Sequence, residues 1–203
     1  MNGYVKSGLL SFIATVAYFH HAAAVSPAPG ATNSASSRPS MAQLKAMAEH
    51  YEKSGSKTEA AGTYEQIIKA DPTARAVLAP RLVDLYIDSK QLPKAMTWTR
   101  EVMKTNPDPQ AYLAGVYARI GMTKEARAIL AEEIKKAREP RRKMLLNWQL
   151  ADASEKAGDI EAARAALADA AKSVESSPDA PAAQKRSSTF AERHPVGRDE
   201  KAK

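Results

Sequence analysis

The chain has 203 residues, 44% hydrophobic but only 6% aromatic, with no cysteine and a formal net charge of +7. That length supports one domain with tails, and an alanine-rich, aromatic-poor composition favours closely packed helices over a sheet; the missing cysteine excludes disulfides, thiol catalysis and zinc–thiolate sites. Residues 1–40 and the residues from 177 onward each hold a net two of the positive charges, so about +3 remains between them, a weak field for gathering polyanions.

The N-terminal stretch MNGYVKSGLLSFIATVAYFHHAAAVSPAPG has one lysine, an apolar run from Gly8 to Phe19 and then small residues. This is the layout of a secretory signal peptide: the run is about a dozen residues, short of the roughly 20 that a membrane-spanning helix needs. Ala22-Ala23-Ala24 offers a cleavage site, so residues 1–24 are expected to leave and Val25 to start the mature chain, with an uncleaved anchor as the alternative. No cysteine follows, which excludes a lipoprotein signal. Residues 25–40 are rich in Ser, Pro, Ala and Gly and read as a flexible linker ending on Ser40, a good helix N-cap.

From Met41 to Pro72 the sequence reads as two short helices folded back on each other. Leu44, Met47, Ala48 and Tyr51 recur at spacings of three and four, Gly55 breaks the run, and a second helix carries Ala60, Tyr64, Ile67 and Ile68. Asp71-Pro72 stops it, because proline cannot continue a helix and restrains the residue before it. Neither helix can bury its apolar face alone, so the unit implies neighbours. They follow at once: Tyr51 and Tyr86, Ala60 and Ala95, and Pro72 and Pro107 are each 35 residues apart.

The second unit runs over 75–107 with Leu82-Val83, Tyr86, Ala95 and Val102; Pro80 is its misfit, expected to kink the helix or delay its start. A third, 108–140, carries Leu113-Ala114, Tyr117, Gly121, Ala126 and Leu130, with Thr123 as the expected N-cap of its second helix. The fourth, 141–176, has Leu150-Ala151, Gly158, Ala163 and Leu167, but Ser154 replaces the tyrosine. Residues 177–203 turn polar, with Pro178, Pro181 and Pro195, and are expected to be disordered. A short helix over 182–193 that lays Phe190 on the last repeat is the alternative.

Leu44, Met47-Ala48, Tyr51, Ala60, Tyr64 and Pro72 stand in the order of the tetratricopeptide signature, and the chain resembles that family in about four degenerate repeats over 41–176. The resemblance implies an all-α, right-handed superhelical solenoid of antiparallel helix pairs whose first helices line a concave groove. In that register the groove presents Lys45, Glu49 and Glu52 from the first unit, and Val77, Arg81, Asp84 and Asp88 from the second. The third presents Ala111, Tyr112, Gly115, Ala118 and Arg119, and the fourth Leu145, Trp148, Asp152 and Glu155. Small residues on the third helix facing Leu145 and Trp148 are expected to form an apolar pocket with a charged rim, suited to anchoring a peptide. The alternative for Trp148 and Tyr112 is packing between helices. Family members that clamp a chaperone's C-terminal carboxylate use groove Lys, Arg and Asn; Glu49, Asp84 and Asp152 argue against that role.

Catalytic constellations are absent from the pattern. His20 and His21 fall in the expected signal, His50 on the first helix and His194 in the tail, none placed to pair with a nucleophile or carboxylate. No phosphate loop, metalloprotease or calcium-loop motif occurs. The expectation is an exported, periplasmic or secreted, non-enzymatic scaffold without metal or cofactor, binding a protein or peptide segment, with no nucleic-acid partner and no membrane span after signal cleavage. Two alternatives stand beside it: a binder of nucleic acid or anionic lipid through the basic run Lys135–Lys143, and self-association through the alanine-rich last helix of the fourth unit.

Overall fold

A computed structural model describes residues 38–196. The expected signal peptide, most of the linker over 25–40 and the end of the tail lie outside the described residues.

Helices form at the places where the apolar spacing demands them. The first pair is α1 (Met41–Lys53) and α2 (Lys57–Ala70), followed by a single 3-10 turn, Pro72–Ala74; the second is α3 (Arg75–Asp88) and α4 (Leu92–Met103). The third is α5 (Pro109–Arg119) and α6 (Thr123–Lys136), the fourth α7 (Pro140–Lys156) and α8 (Ile160–Ser173), and α9 (Ala180–Arg193) follows alone. The described region is thus all-α, and its helices pack mainly with neighbours in sequence, as in a repeat-like array of helix pairs.

Two recurring devices make each pair. Ala60, Ala95, Ala126 and Ala163 are each 0% exposed, one per pair in the second helix, where a missing side chain lets two backbones approach. The turn between the two helices then needs one residue in the left-handed region. Gly55, Gly121 and Gly158 supply it at φ 77°, 89° and 77°, and Lys90 does so at 62° although it is not glycine. Ser40 caps α1 as expected: its Oγ accepts from the Gln43 amide at 3.3 Å while Gln43 Oε1 accepts from the Ser40 amide at 2.8 Å.

The buried core falls into clusters along the array. Leu82, Val83 and Tyr86 of α3 are buried with Ala60, Ile68, Ala95 and Val116. Leu130 and Leu146 join α6 to α7, and Leu167 and Phe190 join α8 to α9. Some local expectations change. Pro80 sits inside α3, which runs on through it. Thr123 is the first residue of α6, with Met122 at the cap position. Met47 points outward at 38% exposure while its neighbour Ala48 is buried.

The larger correction is the tail. Where disorder is expected from residue 177 on, α9 forms and buries Ala183 and Phe190, seven residues apart on one stripe. Pro181, a mark against helix by composition, lies in the first turn, where no amide hydrogen bond is lost. Ala163, Ala166 and Ala170 of α8, on the helix that the self-association alternative invokes, share clusters with Phe190 and Ala183 of α9. The outward positions of α9, including Gln184, Lys185, Ser188 and Glu192, are exposed and polar.

Candidate functional site

The first helices of successive pairs share one face, and their charges are spent on one another. Arg81 of α3 grips Glu52 of α1 with two parallel bonds, Nε–Oε1 at 2.5 Å and Nη2–Oε2 at 2.7 Å. Those bonds hold the Glu52 carboxyl below its ordinary value. Arg119 of α5 bonds Asp84 of α3, while Asp88 accepts from Lys57 Nζ at 2.8 Å. Arg142 of α7 reaches Asp108, the cap of α5, at 3.1 Å. Finally Asp152 takes Arg186 of α9 at 2.6 Å, and Glu155 takes Arg193 at 2.6 Å with His194 Nε2 2.9 Å away. The His194 contact first, then Arg193, pulls the Glu155 carboxyl down. Each exposed pair stabilises by only about 0.2–1 kcal/mol, but together they fix how the helices lie side by side.

The consequence for the expected groove is that Arg81, Asp84, Arg119, Asp152 and Glu155 already have partners. Lys45 and Glu49 on α1 have no ion-pair partner among the described residues. Gly115 leaves open space: a Cβ built there would meet nothing within 4 Å. Ala118 packs against the α5–α7 core, and Val77 stands out at 77% exposure.

Trp148 does not face α5. Its ring packs toward α8 and α9, against clusters containing Leu167, Ala170 and Ala183, and the Arg186 guanidinium lies over it at 4.9 Å. The packing alternative is therefore the one the structure adopts for Trp148.

A cleft does lie between α5 and α7, but Gly115, Ala118 and Trp148 do not line it. Ala111 and Tyr112 of α5 and Leu145, Leu146 and Gln149 of α7 line a cleft of about 380 Å³, with Asn106, Asp108, Glu139, Arg141 and Arg142 around it. Leu145 is 44% exposed, and burial pushes the Tyr112 phenol above its ordinary value, helped by the nearby Asp84 charge. Two polar atoms from these lining residues are buried with no protein partner: Arg142 Nε, a donor, and Gln149 Oε1, an acceptor. A buried polar atom without a partner costs about 1–3 kcal/mol; Trp148 Nε1, Ser154 Oγ and Arg164 Nε, none of them lining this cleft, are buried without one as well. Arg142 cannot turn its other nitrogen away, because Nη2 is held by Asp108 and by Glu133 at 3.2 Å.

Sequence reasoning misses Gln149, Arg142 and Asp108. Gln149 could have been found, since it lies four residues after Leu145 on the same helical face, whereas Trp148 is turned about 100° from it. Among the described residues no group of three or more His, Asp or Glu could hold a metal ion, and no helix is long and apolar enough to cross a membrane. No model of a known protein family matches the chain, and no curated protein matches it either.

Proposed function

We propose that the chain is an exported, non-enzymatic scaffold, built as a tetratricopeptide-like solenoid, that binds an extended protein or peptide segment in the α5–α7 cleft. The observation that carries this reading is the open apolar floor at Leu145, Tyr112 and Ala111, bordered by the polar side chains of Asn106 and Gln149. A peptide backbone offers one carbonyl and one amide per residue, and the side-chain amides of Asn106 and Gln149 among the lining residues carry donors and acceptors of that kind. An apolar side chain of the same segment fills the space beside Leu145. Export rests on the signal-like residues 1–24, and the solenoid on the recurring alanine and the left-handed turn residue of each pair.

A photo-crosslinking residue at position 149, with a matched control at Thr97 on the exposed face of α4, tests the binding role. Partner capture from 149 that disappears in Leu145→Arg supports the proposal; equal capture from both positions overturns it. Mature N-terminal sequencing of protein recovered outside the cytosol tests export, where a start at Val25 is expected.

A further inference from the structure

The first turn of a helix is where a cation is least favoured, because the free amides there already carry positive potential. Helix α7 nevertheless opens Pro140-Arg141-Arg142-Lys143, with no acid in its first turn. The fold sorts this basic run into two groups. Arg142 is held by Asp108 and Glu133, Lys136 bonds Glu133 at 2.9 Å, and Arg141 lies 3.8 Å from Asp179. Arg138 and Lys143 have no ion-pair partner among the described residues, and they turn into a different space. There they meet Lys135, itself bonded to Glu132 at 2.7 Å, and Lys172, which α8 brings in from outside the run.

These four cations, with a single carboxylate, Asp169, line a cleft of about 410 Å³ between α6, α7 and α8. Lys135 and Lys172 lie in the last turns of α6 and α8, where helix carbonyl ends favour a cation. Arg138 and Lys143 have no such reason to be there. The cleft shares α7 with the α5–α7 cleft but none of its lining residues.

We propose that this second cleft binds a multiply charged oxyanion of the phosphate class, gripped by Arg138, Lys143 and Lys172. Guanidinium and ammonium donors converging from three segments suit tetrahedral oxygens, and charge-assisted bonds to them are the strong kind. The volume admits a diphosphate with some hydration, a water taking about 30 Å³. The charge comes either from a soluble phosphate compound or from a phosphate-bearing lipid headgroup.

The test uses pyrophosphate as the soluble probe, titrated calorimetrically into the chain at low salt, and phosphatidylcholine vesicles with and without phosphatidic acid as the headgroup probe. Saturable pyrophosphate binding, weakened about tenfold or more in Lys143→Gln/Lys172→Gln and retained in Lys143→Arg, supports a soluble ligand. Retention on phosphatidic-acid vesicles alone, with the same dependence on both lysines, supports a headgroup. Arg138→Gln, in the connection outside any helix, gives the same reading without touching helix stability. Binding that is equal in wild type and all three variants marks an adventitious ion only and overturns the proposal, as does no binding to either probe.

Discussion

Replacing Phe190 by alanine should release α9 while leaving the rest of the array folded. Phe190 is 3% exposed and packs on Ala151, Ala163, Ala166 and Leu167, with Arg164 and Arg193 over its ring at 5.8 and 5.6 Å. Truncating such a ring costs about 3–5 kcal/mol. The other residue α9 itself buries is Ala183, and its remaining ties are ion pairs of about 0.2–1 kcal/mol each, the Arg186–Trp148 contact, the Ser187 hydroxyl donating to the Leu167 carbonyl at 3.3 Å and Arg164 donating to the His194 carbonyl at 2.7 Å. The loss therefore falls on this one helix. Hydrogen exchange read by mass spectrometry should show amides of 180–193 exchanging about a hundredfold faster or more, at tenfold per 1.4 kcal/mol. Peptides from α3, centred on Leu82 and Tyr86, should keep their protection. In a Trp98→Phe background, Trp148 emission should shift red as Arg186 leaves its ring. A uniform loss of protection across α3 and α9 would refute the reasoning, because α9 would then be part of one cooperative unit; so would unchanged exchange in α9.

Lys90→Gly should stabilise the fold by about 0.5–1 kcal/mol, since the side chain pays a left-handed penalty that glycine avoids, less the entropy glycine loses on folding. A urea midpoint that rises at constant slope confirms it, and one that falls counts against the turn assignment. Ser154→Ala should be neutral or stabilising by up to about 1 kcal/mol, because Ser154 Oγ is buried without a partner; a clear destabilisation would reveal a hidden bond. At high pH the tyrosines set the limit. Burial, with Glu65 adding, pushes the Tyr86 phenol far up, and burial also raises Tyr64 and Tyr112. Their stabilisation is whole below the unfolded value of about 10 and is lost as pH rises above it. Denaturation midpoints should therefore drop above about pH 10, less steeply in Tyr86→Phe; an identical slope in that variant would contradict the assignment.

The helix pairs were legible because their determinants are local. A small residue at each crossing and a glycine at each turn recur at readable spacings, and Ala60, Ala95, Ala126 and Ala163 are buried to 0% as a result. Composition points to disorder where α9 forms, and the alternative helix over 182–193 with Phe190 on the last repeat is close to what is seen. Three prolines and many polar residues outweighed a sparse stripe of Ala183 and Phe190, although a proline in a first turn costs no hydrogen bond. The candidate site was half legible. Ala111, Tyr112 and Leu145 line a cleft, while Gly115, Ala118 and Trp148 do not, and the choice between Trp148 and Gln149 turns on one residue of helical phase. Sequence also cannot show that Arg81 meets Glu52, or that Arg186 meets Asp152, since those partners lie 29 and 34 residues away. Of the charges in the expected groove, Glu52, Arg81, Asp84, Asp88, Arg119, Asp152 and Glu155 are matched internally, while Lys45 and Glu49 are not.

The ion pairs between first helices have a direction. In four pairs, Arg81–Glu52, Arg119–Asp84, Arg142–Asp108 and Arg186–Asp152, the arginine lies on the later helix and the carboxylate on or just before the earlier one, while Arg141–Asp179 runs the other way. In those four the acid is made first during synthesis. A growing array presents Asp and Glu at its unfinished edge, hydrated and mutually repelling between neighbouring copies, until the next helix arrives with the cation that closes it.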